Sequence, residues 1–281
     1  MRLSLDVHMF PRRAAVNRLI NGGQGKFGPM IEQKDLGPVT VLTIENGPMN
    51  VMDTALLRQT TEVLTRLTTE STNSLVVTGT GRAFSAGVDL RSLLDGGPDY
   101  VADFLPALSE ALLAAFTFPR PMVAAVNGHA IAGGAVLAAC ADARLMADGG
   151  GRIGTPELLV GVPFPRVALD VLAHAVGPRV AHRLVFGADT VEPAQALALG
   201  LADEVVPPDA LLDRAIEVAT RLGSTIPPDS FAFTKAQLRR ETVERIVEYR
   251  PLEDPRALEL WNASARDGWI AGYLERVTKK S

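Results

Sequence analysis

Between Val39 and Ala147, short runs of β-branched and aliphatic residues alternate with longer helix-patterned segments, and from Val167 onward only helical patterns follow. That order constrains the chain to an α/β core followed by a helical tail. The strand runs are Val39 to Ile44, Leu75 to Thr78, Met122 to Val126 and Arg144 to Ala147. Asn46-Gly47-Pro48 ends the first of them. The helix that follows carries Leu56, Val63, Leu64 and Leu67 on one face, with Asp53 or Thr54 suited to its N-cap. Tyr100 to Phe116 reads as a helix. Ala135 to Ala141 reads as a small-residue helix packed on all sides. Thr155-Pro156-Glu157 opens another helix, with threonine as the cap and proline in the first turn. The last helix is placed after Pro255, where apolar residues fall at 270, 273, 274 and 277.

Charge and cysteine content narrow the function classes. With 28 basic and 32 acidic residues the net charge is −4, so no general attraction to phosphate backbone or anionic lipid is expected. Nucleic-acid and membrane partners are therefore set aside. The longest apolar run, Ala130 to Ala141, is too short to cross a bilayer. Cys140 is the one cysteine, which excludes an intrachain disulfide and a cysteine metal site and suits a reducing, cytoplasmic setting. No His/Asp/Glu cluster has metal-ligand spacing, and no metal or separate cofactor is expected. Residues 1–29 differ from the rest. They hold five basic residues against Asp6 and a glycine-rich stretch at 21–25, with no secretory pattern. They read as a flexible N-terminal extension, with a transit peptide as the alternative, and Met30 would itself suit a first residue. Residues 30–225 then form the α/β core and 226–281 a C-terminal helical region.

Two glycine-bearing segments each directly follow a strand run: Gly81 to Leu90 and Asn127 to Ala135. Glycine there lets the backbone turn sharply and lets a ligand approach peptide N–H groups. Facing each other, two such turns would make a backbone oxyanion hole. Neither matches a phosphate loop or a dinucleotide fingerprint, and no serine stands in a hydrolase elbow.

The pair, with Thr155-Pro156-Glu157 downstream, resembles the enoyl-CoA hydratase/isomerase (crotonase) superfamily. The resemblance covers roughly residues 37–277. It is carried by Pro48-Met49-Asn50, Phe84 to Asp89, Asn127 to Ala130, Ala132-Gly133-Gly134, Cys140-Ala141-Asp142 and Ala194 to Leu201. It implies a crotonase-like spiral of ββα turns, an acyl-CoA thioester substrate, and a helical tail that assembles a homotrimer, or a hexamer of two trimers. It maps the two oxyanion donors to the amides of Val88 and Gly133. Ala86, Gly87, Asp89 and Gly134 flank them in the binding segments, with Asp89 holding the loop. Asn50 belongs to the stretch resembling the wall of the adenine and pantetheine channel. Arg91 falls where the family often has a lysine near the CoA phosphates. A guanidinium could serve there, and a solvated arginine is the competing reading.

The carboxylates depart from the hydratase pattern. The family's hydratases handle water with two glutamates, and the first of those positions is Val136 here. The second is Glu157, which could otherwise be an acid favoured by a helix dipole. One base suffices to take a proton from C2 of a 3-enoyl-CoA and return it to C4, giving the 2-trans product without water. Val136, Val162 and Phe164 are candidate apolar neighbours, which would make Glu157 a stronger base. The pattern therefore looks like the Δ3,Δ2-enoyl-CoA isomerase branch, as does the closing Tyr273 to Arg276. The alternatives are a hydratase or other enolate reaction using an unplaced acid, with 164–170 as its candidate source, and a non-catalytic acyl-CoA binder. Of the remaining residues, His129 is expected to be packed and Asp142 to be a structural acid. Trp261 and Trp269, eight apart on the expected last helix, are assigned to a packing face between subunits.

Overall fold

A computed structural model describes residues 30–71 and 73–279. The expected N-terminal extension lies outside the described residues. In chain order the elements are β1 (Ile31–Leu36), β2 (Val39–Ile44), α1 (Thr54–Glu70), β3 (Ser74–Gly79), β4 (Ala83–Ser85) and α2 (Leu90–Phe116). Then come β5 (Met122–Val126), β6 (His129–Ile131), α3 (Gly133–Ala139), β7 (Ala143–Ala147), β8 (Ile153–Gly154), α4 (Glu157–Val160) and α5 (Arg166–Val176). The chain continues through α6 (Pro178–Gly187), β9 (Thr190–Val191), α7 (Pro193–Leu199), β10 (Glu204–Val206) and α8 (Leu211–Thr225). It closes with α9 (Pro228–Arg266) and α10 (Trp269–Thr278).

The strands sort into two sheets. A six-stranded sheet runs β1-β2-β3-β5-β7-β10, parallel except for the β1–β2 hairpin. A four-stranded sheet runs β4-β6-β8-β9, with β4, β6 and β8 parallel. Each turn of the chain lays one strand in the large sheet and the next in the small one before a helix: β3-β4-α2, β5-β6-α3, β7-β8-α4. This is the expected spiral of ββα turns. β2, β3 and β5 of the large sheet are buried almost throughout, as their unbroken aliphatic runs require.

Asp53 is the N-cap of α1, its carboxylate accepting the Leu56 N–H at 2.7 Å. Four sequence expectations need correction. Short strands β9 and β10 lie beyond Val167, and β10 completes the large sheet by pairing with β7. No break falls at Pro255: α9 runs through both Pro251 and Pro255, and the last helix, α10, starts only at Trp269. Each proline removes a helix hydrogen bond, but Glu253 and Asp254 beside them are held by Arg166, through its guanidinium at 3.0 Å and its backbone N–H at 2.9 Å. Trp261 and Trp269 do not share a helix, because Gly268 in the left-handed region separates α9 from α10. Nor is Trp261 an intersubunit residue. It is buried within its own chain, beside Phe104 and with its indole N–H donating to the Pro163 carbonyl at 2.8 Å.

Candidate active site

β4, β6 and β8 are adjacent and parallel, so their carboxyl ends open on one edge, the place where ligands gather in parallel sheets. Residues 86–89 leave β4 there, 132–134 leave β6, and 155–157 leave β8. The sequence-separated motifs thus meet through strand pairing alone. Ala132 donates its N–H to the Gly154 carbonyl at 2.8 Å, which stitches the second motif to the third.

The first two motifs touch directly. Gly87 has φ +78°, and a β-carbon on it would come 2.5 Å from the Ile131 carbonyl oxygen and 3.2 Å from the Gly133 nitrogen. Only glycine permits that approach. Gly134 is similarly pressed on β4, where a β-carbon would fall 2.2 Å from the Ser85 oxygen. Ala132 holds φ 52° and ψ −123°, a strained non-glycine conformation that turns the chain from β6 into α3. Among the described residues, neither the Val88 nor the Gly133 amide N–H meets an acceptor. Gly133 faces the Met52 sulfur.

A second layer fixes these turns. Met52 donates its N–H to Gly87 at 2.7 Å and accepts from Asp89 at 2.9 Å, while Ala86 donates to the Met49 carbonyl. The fully buried Asn50 has φ 48°. Its amide donates to the Thr80 and Ala83 carbonyls, and its oxygen accepts from the Asn46 N–H and the Thr80 hydroxyl. Its side chain therefore holds the loop and has no polar group left for a ligand. Asp89 caps α2, accepting from the N–H groups of Arg91 and Ser92 and from the Ser92 hydroxyl. The Arg91 side chain is exposed.

Glu157 opens α4 and is only 7% exposed. Burial pushes its carboxyl up to about 8, partly offset by its own backbone N–H. Its Oε2 is buried without a hydrogen-bond partner. The helix is not capped by Thr155, as its sequence suggests. Pro156 occupies the cap position, and the Thr155 hydroxyl is itself buried and unpartnered. Val136 is fully buried, and Phe164 is half-buried against the core. Asp170, in the stretch considered as a source of a second acid, is committed elsewhere. Its carboxylate is bound by Arg166 at 2.5 and 2.7 Å and by Arg245 at 3.0 Å.

His129 is packed, accepting the Arg152 N–H at its Nδ1, and burial beside Arg82 and Arg152 lowers its basicity. Asp142 is a structural acid: it accepts the Met122 N–H at 2.8 Å, Lys235 at 2.6 Å and Arg239 at 2.8 Å. A cavity of about 500 Å³ lies beside this cluster, on residues the glycine turns do not share. Sequence reasoning did not single out Tyr273 as a site residue, yet it stands half-buried within electrostatic reach of Glu157. Among the described residues, no group of three or more His, Cys, Asp or Glu could hold a metal, and no helix is long and apolar enough to cross a membrane.

Comparison with known proteins follows the same lines. Residues 36–280 match the family model described as enoyl-CoA hydratase/isomerase. Mouse mitochondrial enoyl-CoA delta isomerase 1 is 30% identical over 254 residues, spanning 89% of this chain and 88% of the mouse protein. The 2,3-dehydroadipyl-CoA hydratase of Escherichia coli K12 is 31% identical over 194 residues, spanning 67% of this chain and 74% of that one. Among solved structures, human mitochondrial Δ3,Δ2-enoyl-CoA isomerase superposes with a TM-score of 0.84 at 26% identity. It covers 90% of this chain and all of that one.

Proposed function

The chain belongs to the enoyl-CoA hydratase/isomerase family, and from that premise we propose that it shifts the double bond of a 3-enoyl-CoA to the 2-trans position. Glu157 is the single acid/base, and the Val88 and Gly133 amides are the oxyanion donors. The observation that carries this reading is Glu157 itself: a buried carboxyl with an unpartnered oxygen, at the end of three neighbouring parallel strands whose other two turns carry the Val88 and Gly133 amides with free N–H groups.

The thioester oxygen accepts from the two amides. The Glu157 carboxylate takes a proton from C2, the electron pair spreads through the dienolate to oxygen, and the amide dipoles stabilise the charge. Glu157, now protonated, returns that proton to C4. The double bond moves, no water enters, and the base is regenerated. Each oxyanion donor is worth about 10² to 10³ in rate, and positioned proton transfer about 10² to 10⁴. Desolvation strengthens the carboxylate as a base. Three features support one acid rather than two. Val136 stands at the first glutamate position, Asp170 is tied to two arginines, and both the mouse relative and the human structure are isomerases by name. The proposed chemistry needs no cofactor beyond the CoA of the substrate. Assembly as a homotrimer, with a hexamer as its stacked form, and a cytoplasmic location belong to the same reading.

The test is spectroscopic. Mixed with 3-hexenoyl-CoA, the protein is expected to generate the absorbance of a conjugated enoyl thioester, and Glu157→Gln to lower that rate by about 10² to 10⁴. Bleaching of crotonyl-CoA as the main activity would make it a hydratase. Binding of CoA thioesters with neither change would make it a non-catalytic binder.

A further inference from the structure

We propose that Tyr273, delivered by the chain's own C-terminal helix, is a positioning residue of the site: its hydroxyl is the hydrogen-bond donor to ionised Glu157. This inference rests on the role assigned to Glu157 above.

The placement comes from helix packing. α10 lies on α4 and α2 of the same chain. At Gly161, the residue that ends α4, a β-carbon would come 3.0 Å from Trp269 Cβ and 3.4 Å from the Ser264 hydroxyl. Ser264 in turn donates to the Gly161 carbonyl. Trp269 and Tyr273 are four residues apart on α10, hence on one face. The helix that touches the end of α4 through Trp269 therefore carries Tyr273 along it toward Glu157. Ile270, fully buried, anchors the same helix.

A buried acceptor and a free donor result. The Glu157 Oε2 is buried with no partner, and the Tyr273 hydroxyl, which is not fully buried, has no hydrogen-bond partner among the described residues. The phenol senses the carboxylate: burial, and then the Glu157 charge, hold it above its ordinary value, against a smaller opposite effect of Arg276. The ionisable groups on the two helices packed against α4 are Arg179, His182 and Arg183 on α6, and Tyr273, Glu275 and Arg276 on α10. Burial and its own backbone N–H account for the Glu157 value, so no neighbouring cation stabilises its ionised form. A phenol is the donor that form lacks. Such bonds are often long in an empty site and tighten around bound substrate. When Glu157 is protonated the bond weakens, so the hydroxyl favours the state in which the residue acts as a base.

Tyr273→Phe tests this by removing one oxygen. With 3-hexenoyl-CoA, kcat is expected to fall about tenfold with KM within about twofold, as for one hydrogen bond to a charged group. The acid limb of kcat/KM is expected to move up by about one pH unit. A second measurement needs no turnover: phenolate absorbance, followed in alkaline titration of this three-tyrosine chain. In Glu157→Gln one tyrosine should ionise at lower pH than in the wild type, and that difference should vanish in the Tyr273→Phe background. Unchanged kcat and acid limb in Tyr273→Phe, or unchanged titration in Glu157→Gln, overturns the inference. If Glu157→Gln itself retains full turnover, the failure lies with the proposed function instead.

Discussion

Glu157 carries a consequence for stability as well as for rate. Its carboxyl titrates near 8 in the folded chain and near 4.3 when unfolded. Between those values the folded state holds a proton that the unfolded state has lost, so this residue's contribution grows less favourable as pH rises through the window. Below about 4.3 both states are protonated and the penalty is absent. Glu157→Gln removes the titration. The variant is expected to melt above the wild type at pH 8, and the gap to shrink toward pH 5, by thermal denaturation at the two values. A gap independent of pH would mean the carboxyl is not dry. The family resemblance made the identity of this residue legible, through the Pro156-Glu157 pair downstream of the two glycine turns. It did not make the dryness legible. That depends on tertiary packing of α4, which touches both α6 and, more than a hundred residues away in sequence, α10. Tyr273 was missed for the same reason, since periodicity says only that it faces inward.

At the scale of elements, strands long enough to show an aliphatic run were legible, and those of two or three residues were not. β4, β6, β8 and β9 are too short for any periodicity to register, yet three of them position the site. The glycines after β4 and β6 were their only trace. The path of α9 was illegible for an opposite reason. Proline argues locally for a break at 251 and 255, and the tertiary bonds of Glu253 and Asp254 to Arg166 override it. A further anchor of α9 is the Asp142 cluster, where one carboxylate joins β7 to two buried cations of that helix. Burial lowers Lys235 to about 8 despite Asp142 beside it. Asp142→Asn would leave Lys235 and Arg239 buried without a counter-charge, a loss of about 3 to 5 kcal/mol. Lys235→Met keeps the Arg239–Asp142 pair and is expected to cost clearly less. Chemical denaturation of the two variants checks the order. Equal losses would show that the carboxylate serves Lys235 alone.

The whole molecule presents apolar surface that its own fold leaves uncovered. α9 exposes Phe233 and Leu238 near its start and Val247 and Leu252 further on, each more than 60% accessible. Phe233 and Val247 are about four helical turns apart, as are Leu238 and Leu252, so each pair occupies one face. Scattered exposed leucines are unremarkable, but large apolar side chains recurring along one helix are costly in water unless a partner covers them. Trp261, assigned from sequence to a subunit interface, is spent inside the chain. If the helical tail assembles copies, these outer residues of α9 are the ones to do it. Because α10 packs on the chain's own α4, assembly is not required to bring α10 to that segment. The double variant Leu238→Glu/Leu252→Glu is therefore expected to dissociate in light scattering while keeping its helical circular dichroism and at least part of its turnover on 3-hexenoyl-CoA. A wild-type chain already monomeric at assay concentration would remove α9 as an assembly face. A dissociated variant, still folded but devoid of turnover, would show that a neighbouring copy completes the site after all.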